Sequence, residues 1–247
     1  MKAQLPKKLR EWGFRRMLLK EYVARGASSD TSTWPFELPP VDLEKTRFVP
    51  NEKVIPLLIH HKIPLYSRIK SIKGQWVAFQ DGCQISVDTI ILATGYKTNF
   101  SYFDSIIVVD NYVGLYKHVF HPDNPHLAFV GMANIVGAAF PLMEMQSRFI
   151  ARVFIGRQQL PSLKDMHTEI HAHKIACDKR DIDPMRVQAL GYLDEIAALI
   201  GVRPQLSTNL TVFKELVFGP LTAFRYRLNG PHSKPTEAKA HFKSHRV

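Results

Sequence analysis

The sequence lacks the short motifs that identify an enzyme class by themselves. Its 247 residues contain no G-x-G-x-x-G turn, no Walker phosphate loop, no G-x-S-x-G and no C-x-x-C. The first of these absences excludes a complete dinucleotide-binding domain, because the phosphate-binding turn of such a domain is missing. Any chemistry must therefore rest on residues that no stand-alone motif marks.

Cysteine and long apolar runs are also scarce. Two cysteines, Cys83 and Cys177, are too few for a disulfide framework and favour a reducing compartment. No apolar run approaches the ~20 residues that cross a bilayer, and the N-terminus has no apolar core resembling a secretory signal. The sequence therefore predicts neither a transmembrane segment nor a secretory signal.

Positive charge is abundant but confined to the ends of the chain. The formal net charge is +11, and it is carried by residues 1–25 and 222–247 around a neutral body. A nucleic-acid-binding protein is expected to carry a basic face on its folded domain, so we predict no nucleic-acid partner. The basic N-terminal segment is interpreted as a helix that enters the fold. A peripheral membrane helix and a transit sequence are the alternatives, and Glu11 and Glu21 count against the transit sequence.

The first half of the chain predicts a loop followed by short strands. Residues 26–45 are rich in Ser, Thr and Pro, which is typical of an extended loop. From residue 63 onward, strands alternate with glycine turns, and Asp81-Gly82 indicates a hairpin. The apolar run of residues 90–92 predicts a strand buried on both faces. This strand would end at Thr94 and Gly95, where either a tight turn or the close approach of a planar ligand accounts for the small residues.

The second half predicts a strand, a glycine loop and a helix in succession. Residues 126–131 form the strand, residues 132–138 the loop, and the helix begins at Pro141 and ends at Gly156. This order directs a helix N-terminus and free backbone N–H groups towards whatever lies above the sheet. A helix capped by Ser162, a helix over residues 190–200 and a disordered tail from Gly230 complete the prediction.

A group of histidines raises the question of a metal site. His167, His171 and His173 lie close together in the segment MHTEIHAHK. Two of them are four residues apart and would share a helix face, as metal ligands do, but Glu169 does not stand where H-E-x-x-H requires it. A solvated helix face is the favoured interpretation, and we predict no metal.

Several longer segments resemble one family in order and spacing. ATGYKTNF, GLYKHVFHPDNPHLAFVGM, PLMEMQSRFIARVFIGRQQLPS, IGVRP and FGPLTAFRYRLNGP resemble the C-terminal part of the flavin-containing monooxygenases. The resemblance runs from about residue 38 to residue 231. It implies a mixed α/β fold, an incomplete two-dinucleotide-binding-domain (Rossmann-like) flavoprotein. Residues 46–96 would end the NADPH-domain-like sheet, residues 97–230 would belong to the FAD-domain-like region, and residues 231–247 would be a disordered basic tail.

The resemblance also implies an activity. In this family one Rossmann-like unit holds FAD and another holds NADPH, and the reduced flavin reacts with O2 to give a hydroperoxide. The hydroperoxide oxygenates a soft nucleophile, typically an amine nitrogen or a sulfide, so a small-molecule nucleophile and O2 are the expected partners. Relatives with an apolar C-terminal tail sit on the endoplasmic reticulum. This tail has no such segment, and the expected location is the cytoplasm or the surface of that membrane.

The cofactor-binding residues expected from the resemblance fall in two stretches, and no catalytic residue is assigned. Many relatives have glutamine where this chain has Asn134, and proline where it has Ile135. Glu144, Gln146 and Arg148 match the family, and for Arg148 an internal ion pair and a cofactor contact are both open. The expected cofactor-binding residues are Thr94, Gly95, Tyr96, Gly131, Met132, Asn134, Gly137 and Ala138.

Both glycine fingerprints of the family would precede Met1. The chain is therefore interpreted as a fragment, a truncated product or one member of a split pair whose other chain supplies the N-terminal half. Three functions follow: a monooxygenase or a part of one, a catalytically inactive remnant that binds a partner protein, or a basic peripheral module. The terminal position of the charge makes the third the least favoured.

Overall fold

A computed structural model describes residues 53–97, 100–101, 108–109, 112–135, 139–205, 207, 209–219 and 221–244, with residues 12, 16, 20 and 32 as single positions. The chain divides into two compact units, residues 4–97 and residues 98–247 together with 1–3. The predicted N-terminal helix and the loop of residues 26–45 lie almost wholly outside the described residues. Trp12, Arg16 and Lys20 are helical, and the Arg16 guanidinium lies 5.2 Å from the centre of the Trp12 ring.

The unit of residues 4–97 contains a short helix and a three-stranded antiparallel sheet in the order β1-β2-β3. Its hairpin turn confirms the prediction at Asp81-Gly82. Gly82 has φ +88°, and Asp81 Oδ1 accepts a hydrogen bond from the Cys83 N–H at 2.9 Å. The elements are α1 (Val54–Ile59), β1 (Ile69–Lys73), β2 (Trp76–Phe79) and β3 (Gln84–Ser86).

The buried strand predicted at residues 90–92 is wrong. These residues are not in a strand, and Ile91 and Leu92 are 87% and 80% exposed. A strand buried on both faces needs a hydrogen-bonded neighbour and covering helices, and no strand among the described residues pairs with this run. An apolar run predicts a buried strand only if the fold also provides a pairing strand and covering helices.

The described strands of the second unit form two small antiparallel pairs. The predicted strand at residues 126–131 is confirmed in part, because β7 starts two residues earlier and stops at Ala128. One isolated parallel bridge joins Asn134 to Arg186. The structure is therefore a mixture of helix and sheet. Its strands are β4 (Val108–Val109), β5 (Tyr112–Val113), β6 (Phe120–His121) and β7 (Asn124–Ala128), with β4 paired to β5 and β6 to β7.

Three predicted helices of this unit are confirmed, and each begins or ends at the residue that marks it. Pro141 lies in the first turn of α2, and Gly156 follows its end with φ +71°. Ser162 caps α3 by accepting a hydrogen bond from the Asp165 N–H at 3.2 Å. Gly201, with φ +72°, follows α4. The helices are α2 (Phe140–Phe154), α3 (Leu163–Asp178), α4 (Ala189–Leu199), α5 (Phe213–Phe218) and α6 (Pro235–Ser244), with 3-10 turns at Leu210–Val212 and Ala223–Arg227.

The main core lies between α2 and α4. The apolar face of α2 presents Leu142, Met145 and Phe149, and α4 contributes Leu193 and Ile196. Spacings of three and four residues place these side chains on one face of each helix. The packed helices fix the position of the α2 N-terminus.

The disordered tail predicted from Gly230 is wrong over residues 235–244. These residues form α6, whose Ala238 and Phe242 are buried with Val212, Leu216 and Leu228. The polar and basic composition of the tail concealed two apolar residues four positions apart, which is enough for one helix face. Packing against these three apolar residues stabilises the helix.

Candidate functional site

The Gly131 segment, residues 131–134, connects β7 towards α2. Gly131 has φ +88°, a conformation that strains any residue with a Cβ, and an added Cβ would lie 3.2 Å from Met143 Cε. Its N–H donates to Gln146 Oε1 at 2.8 Å. The left-handed backbone conformation favours glycine here, and an added Cβ would also crowd the end of the Met143 side chain.

The other end of the Gly131 segment is held like a strand residue. The Asn134 N–H donates to the Met185 carbonyl at 2.7 Å, and the Val187 N–H donates to the Asn134 carbonyl at 2.9 Å. Ala133 is buried, whereas Asn134 is exposed. The backbone is fixed at both ends, and the Asn134 side chain faces solvent.

The N-terminus of α2 follows this segment without a side-chain cap. Ala139 occupies the N-cap position, and the first turn contains no acidic residue. N–H groups at a helix start carry partial positive charge and favour an electron-rich group. Phe140 is 83% exposed, and Val130 and Met143 are also exposed, so an apolar surface borders these N–H groups. This surface, named the α2 patch, suits a planar and partly charged ligand.

The cofactor-binding residues expected from the sequence fall in different parts of the structure. Gly131, Met132 and Asn134 come together in the Gly131 segment. Gly137 and Ala138 lie outside the described residues. Thr94, Gly95 and Tyr96 belong to the unit of residues 4–97, where Gly95 has φ +90° and Tyr96 is fully exposed. The left-handed backbone at Gly95 is sufficient reason for glycine at that turn.

Three family-matching residues of α2 bind parts of the protein itself. Glu144 Oε1 accepts from Arg227 Nε at 3.0 Å. The Arg148 guanidinium donates to the Tyr226 carbonyl at 3.0 Å, which is neither the ion pair nor the cofactor contact considered from the sequence. Burial, followed by the neighbouring charge of Arg227, lowers the pKa of Arg148. Glu144 and Arg148 therefore anchor α2 to the 3-10 turn Ala223–Arg227.

Gln146 connects the Gly131 segment to Tyr192 by hydrogen bonds, and no sequence pattern indicated this connection. It is fully buried, and its Nε2 donates to the Tyr192 hydroxyl at 2.7 Å. The Tyr192 hydroxyl donates in turn to the Lys117 carbonyl at 2.7 Å. Burial raises the pKa of Tyr192, so the hydroxyl keeps its proton and its donor role at neutral pH. No signal in a single sequence could have found this chain of bonds, because it joins separate segments.

The turn at Lys117 and His118 is strained and firmly held. Both residues have φ near +50°, at 52° and 55°, a region that costs about 1 kcal/mol or more for residues other than glycine. Lys117 Nζ lies 2.7 Å from Glu169 Oε1 and also pairs with Glu195. Burial alone would lower the pKa of Lys117, but the hydrogen bonds to these two glutamates outweigh it and raise the pKa. The ion pairs tie the turn to α3 and α4.

The histidines of α3 make separate contacts. His167 Nε2 lies 3.0 Å from Asp123 Oδ1, and His173 Nε2 lies 2.8 Å from the Pro184 carbonyl and 3.6 Å from Cys177 Sγ. Within the part of the chain that the structure describes, no three His, Cys, Asp or Glu side chains are grouped to hold a metal ion. No helix among those same residues is both long and apolar enough to cross a membrane.

A strand, a glycine turn and a helix follow one another in the second unit, and this order places the N-terminus of α2 after the Gly131 segment. The sequence model of the flavin-binding monooxygenase-like family matches residues 2–244. The chain belongs to this family.

Individual relatives agree with this assignment. Flavin-containing monooxygenase 5 of Rattus norvegicus is 36% identical over 193 residues, which cover 73% of this chain and 36% of that protein. Dimethylaniline monooxygenase (N-oxide-forming) 2 of the same organism is 35% identical over 196 residues, with the same shares covered. The structure of S-allyl-L-cysteine S-oxygenase from Allium sativum is similar with a TM-score of 0.51 and 30% identity, over 72% of this chain and 43% of that one. The chain thus spans about a third of the length of the curated relatives it matches.

Proposed function

We propose that the chain provides the flavin-ring side of an FAD- and NADPH-dependent monooxygenase that oxygenates soft nucleophiles, an amine nitrogen or a sulfide sulfur. One atom of O2 goes to the lone pair of the nucleophile, the other leaves as water, and NADPH supplies the two electrons. When bound, the reduced flavin supplies the oxygen-activating chemistry described above for the family. The named activities of the relatives, which form an N-oxide and oxygenate sulfur, support this substrate class.

The observation that carries the proposal is the geometry of the Gly131 segment. Gly131 keeps its backbone free of a Cβ, and the uncapped start of α2 presents N–H groups beside the apolar α2 patch. A flavin ring is planar and apolar on its faces and gains negative charge when reduced, so it fits an apolar surface next to partial positive charge. Gly131, Met132 and Asn134 would bind and orient the ring, and Phe140 and Met143 would exclude water from it.

The phosphates of both cofactors need a binding site outside this chain. The sequence has no G-x-G-x-x-G turn to bind the pyrophosphate of FAD or the phosphates of NADPH. We also propose that Thr94, Gly95 and Tyr96 contribute to cofactor binding. We therefore propose that full activity requires the region of the family that carries the two fingerprints.

An absorption spectrum of the purified chain with and without added FAD tests the proposal. A band near ~450 nm that stays with the protein through gel filtration is the expected result, since flavin absorbs in that region when bound. NADPH oxidation with an amine and with a sulfide would follow. A colourless chain that retains no FAD would contradict the idea that this part of the family fold binds the ring by itself.

A second function is favoured by the exposed apolar residues. Phe140 in the second unit is 83% exposed, and Ile91 and Leu92 in the first unit are 87% and 80% exposed. Exposed apolar surface on either unit is typical of an interaction site. We propose as the alternative that the chain is catalytically inactive and binds a partner that carries the N-terminal region of the family. Light scattering after gel filtration, with and without the residues of the rat relative that precede the matched region, would show a 1:1 complex. Unchanged mass in the mixture would contradict it.

Location and membrane contact stay predictions of the family resemblance. We propose the cytoplasm or the surface of the endoplasmic reticulum. Flotation of the chain with vesicles that contain anionic lipid would show whether its basic ends contribute to membrane contact. Loss of flotation after deletion of residues 232–247 would assign the contact to the tail.

A further inference from the structure

Gln146 is a buried polar residue whose amide is used at both ends. Its Oε1 accepts from the Gly131 N–H at 2.8 Å, and its Nε2 donates to the Tyr192 hydroxyl at 2.7 Å. A buried amide is stable only when its donor and acceptor groups are both paired. The side chain therefore joins the Gly131 segment to α4 through the centre of α2.

The neighbouring bonds determine which way the amide points. The single proton of the Tyr192 hydroxyl is donated to the Lys117 carbonyl at 2.7 Å, so the hydroxyl oxygen can only accept from Gln146. The donor end of the amide must face Tyr192, and the acceptor end must face the Gly131 N–H. A residue that only donates, only accepts or does neither cannot complete this chain of bonds.

The far end of the chain is anchored more strongly than the near end. The Lys117 carbonyl belongs to the strained turn whose side chain pairs with Glu169 and Glu195. At the other end, Gly131 has a backbone conformation open to many alternatives, because glycine has the widest conformational freedom. The anchored end can therefore fix the free end, and Gln146 transmits the restraint.

From this geometry we infer that Gln146 is the positioning residue of the Gly131 segment and, through it, of the flavin ring. The inference about the ring rests on the proposed function, whereas the inference about the segment does not. Gln146 touches no reacting atom in this arrangement. It holds the Gly131 amide so that the backbone of residues 131–134 keeps one conformation before the ring binds.

The experiment measures the hydrogen-exchange rate of the Gly131 amide in the full chain labelled with 15N-glycine. Gln146→Met keeps the length of the side chain and removes both polar ends, and we expect exchange at Gly131 to be about tenfold faster. Tyr192→Phe leaves Gln146 in place but removes its anchor, so a smaller increase is expected. Gln159→Met is the matched control on the surface and should leave the Gly131 rate unchanged.

Gln146→Glu tests rescue by a conservative variant. Its carboxylate can accept from the Gly131 N–H but cannot donate to Tyr192, so protection at Gly131 should return at least in part. FAD retention and the shape of the flavin band are measured on the same variants. We expect Gln146→Met to lose retention and Gln146→Glu to recover part of it with an altered band.

The outcomes separate the two claims. An unchanged Gly131 rate in Gln146→Met would overturn the positioning role. A faster rate combined with unchanged FAD retention and an unchanged band would overturn the extension to the flavin ring. If the unmodified chain retains no FAD, the proposed function fails, and the exchange rates still decide whether Gln146 fixes the segment. If Gln146→Met does not fold, the Tyr192→Phe rate decides in its place.

Discussion

The described residues of 98–247 enclose two clusters of buried apolar side chains. Among the residues of 53–97 whose burial the structure describes, only Val77 and Phe79 are buried and apolar. Among its described residues the first unit has a three-stranded sheet with two buried apolar side chains, and small sheets need a hydrophobic face or a packed helix to be stable. The second unit has packed helices that supply such a face. The strand pattern of a sequence and the stability of the resulting sheet are therefore separate properties.

The largest expected effect comes from removing a core aromatic ring in each unit. Phe149 lies 5.2 Å from Phe120 ring to ring in the main core, and Phe149→Ala should lower the free energy of unfolding of the second unit by about 3–5 kcal/mol. Phe79 stacks on Tyr66 at 4.6 Å in the sheet, and Phe79→Ala should cost less than half as much. Urea unfolding followed by hydrogen exchange in peptides of each unit measures both costs.

The contrast between the two units would be wrong if Phe149→Ala and Phe79→Ala lowered the free energy of unfolding by the same amount. Equal costs would mean that the sheet of residues 69–86 has as complete a core as the helical unit. Val113→Ala serves as a second core variant should Phe149→Ala not fold, since Val113 is also buried.

The second prediction concerns acid, and it applies to the helical unit. Burial, with a smaller contribution from His173, lowers the pKa of His118 from 6.5 to about 4. The folded unit then binds fewer protons than the unfolded chain, so this stability is present above pH ~6.5 and is lost as the pH falls towards ~4. Between these two pH values the free energy of unfolding should fall by about 3 kcal/mol through His118 alone. The groups that face His118 are His173 and Tyr192 with Lys117 and Asp183.

His118→Asn isolates this contribution. Asparagine tolerates the left-handed backbone at position 118, where φ is +55°, and does not titrate. The free energy of unfolding measured at pH 7, 6, 5 and 4 should fall less steeply in the variant than in the parent chain. Parallel curves for the two proteins would show that His118 does not cause the acid sensitivity.

The third prediction compares two lysine ion pairs. Lys117 is about 10% exposed and pairs with two glutamates, so Lys117→Met should cost about 1–2 kcal/mol. Lys174 pairs with Asp178 across one helical turn on the surface, and Lys174→Met should cost about 0.5 kcal/mol or less. Thermal unfolding at two salt concentrations measures both. A larger cost at Lys174 would reverse the expected order.

Local signals explain how much of the fold could be predicted. Pro141, Ser162 and Gly201 mark helix starts and ends within a few residues of sequence, and the structure confirms all three. The link from Gln146 to Tyr192 spans 46 positions and that from Tyr192 to Lys117 spans 75, so no local pattern contains them. The wrong strand at residues 90–92 and the missed helix α6 share one cause. Each depends on whether a distant partner exists, which periodicity does not report.

The last prediction tests the hairpin of the first unit. Gly82 has φ +88°, and an added Cβ would meet no atom within 4 Å, so Gly82→Ala introduces backbone strain without a clash. The expected cost is about 1 kcal/mol. Because only two apolar side chains among the described residues of this unit are buried, we expect the amides of β2 and β3 to exchange faster while those of α2 and α4 do not change. Gln80→Ala, on an exposed side chain near the same turn, is the control. Faster exchange in α2 as well would show that the two units unfold together, and the contrast between them would then describe burial but not stability.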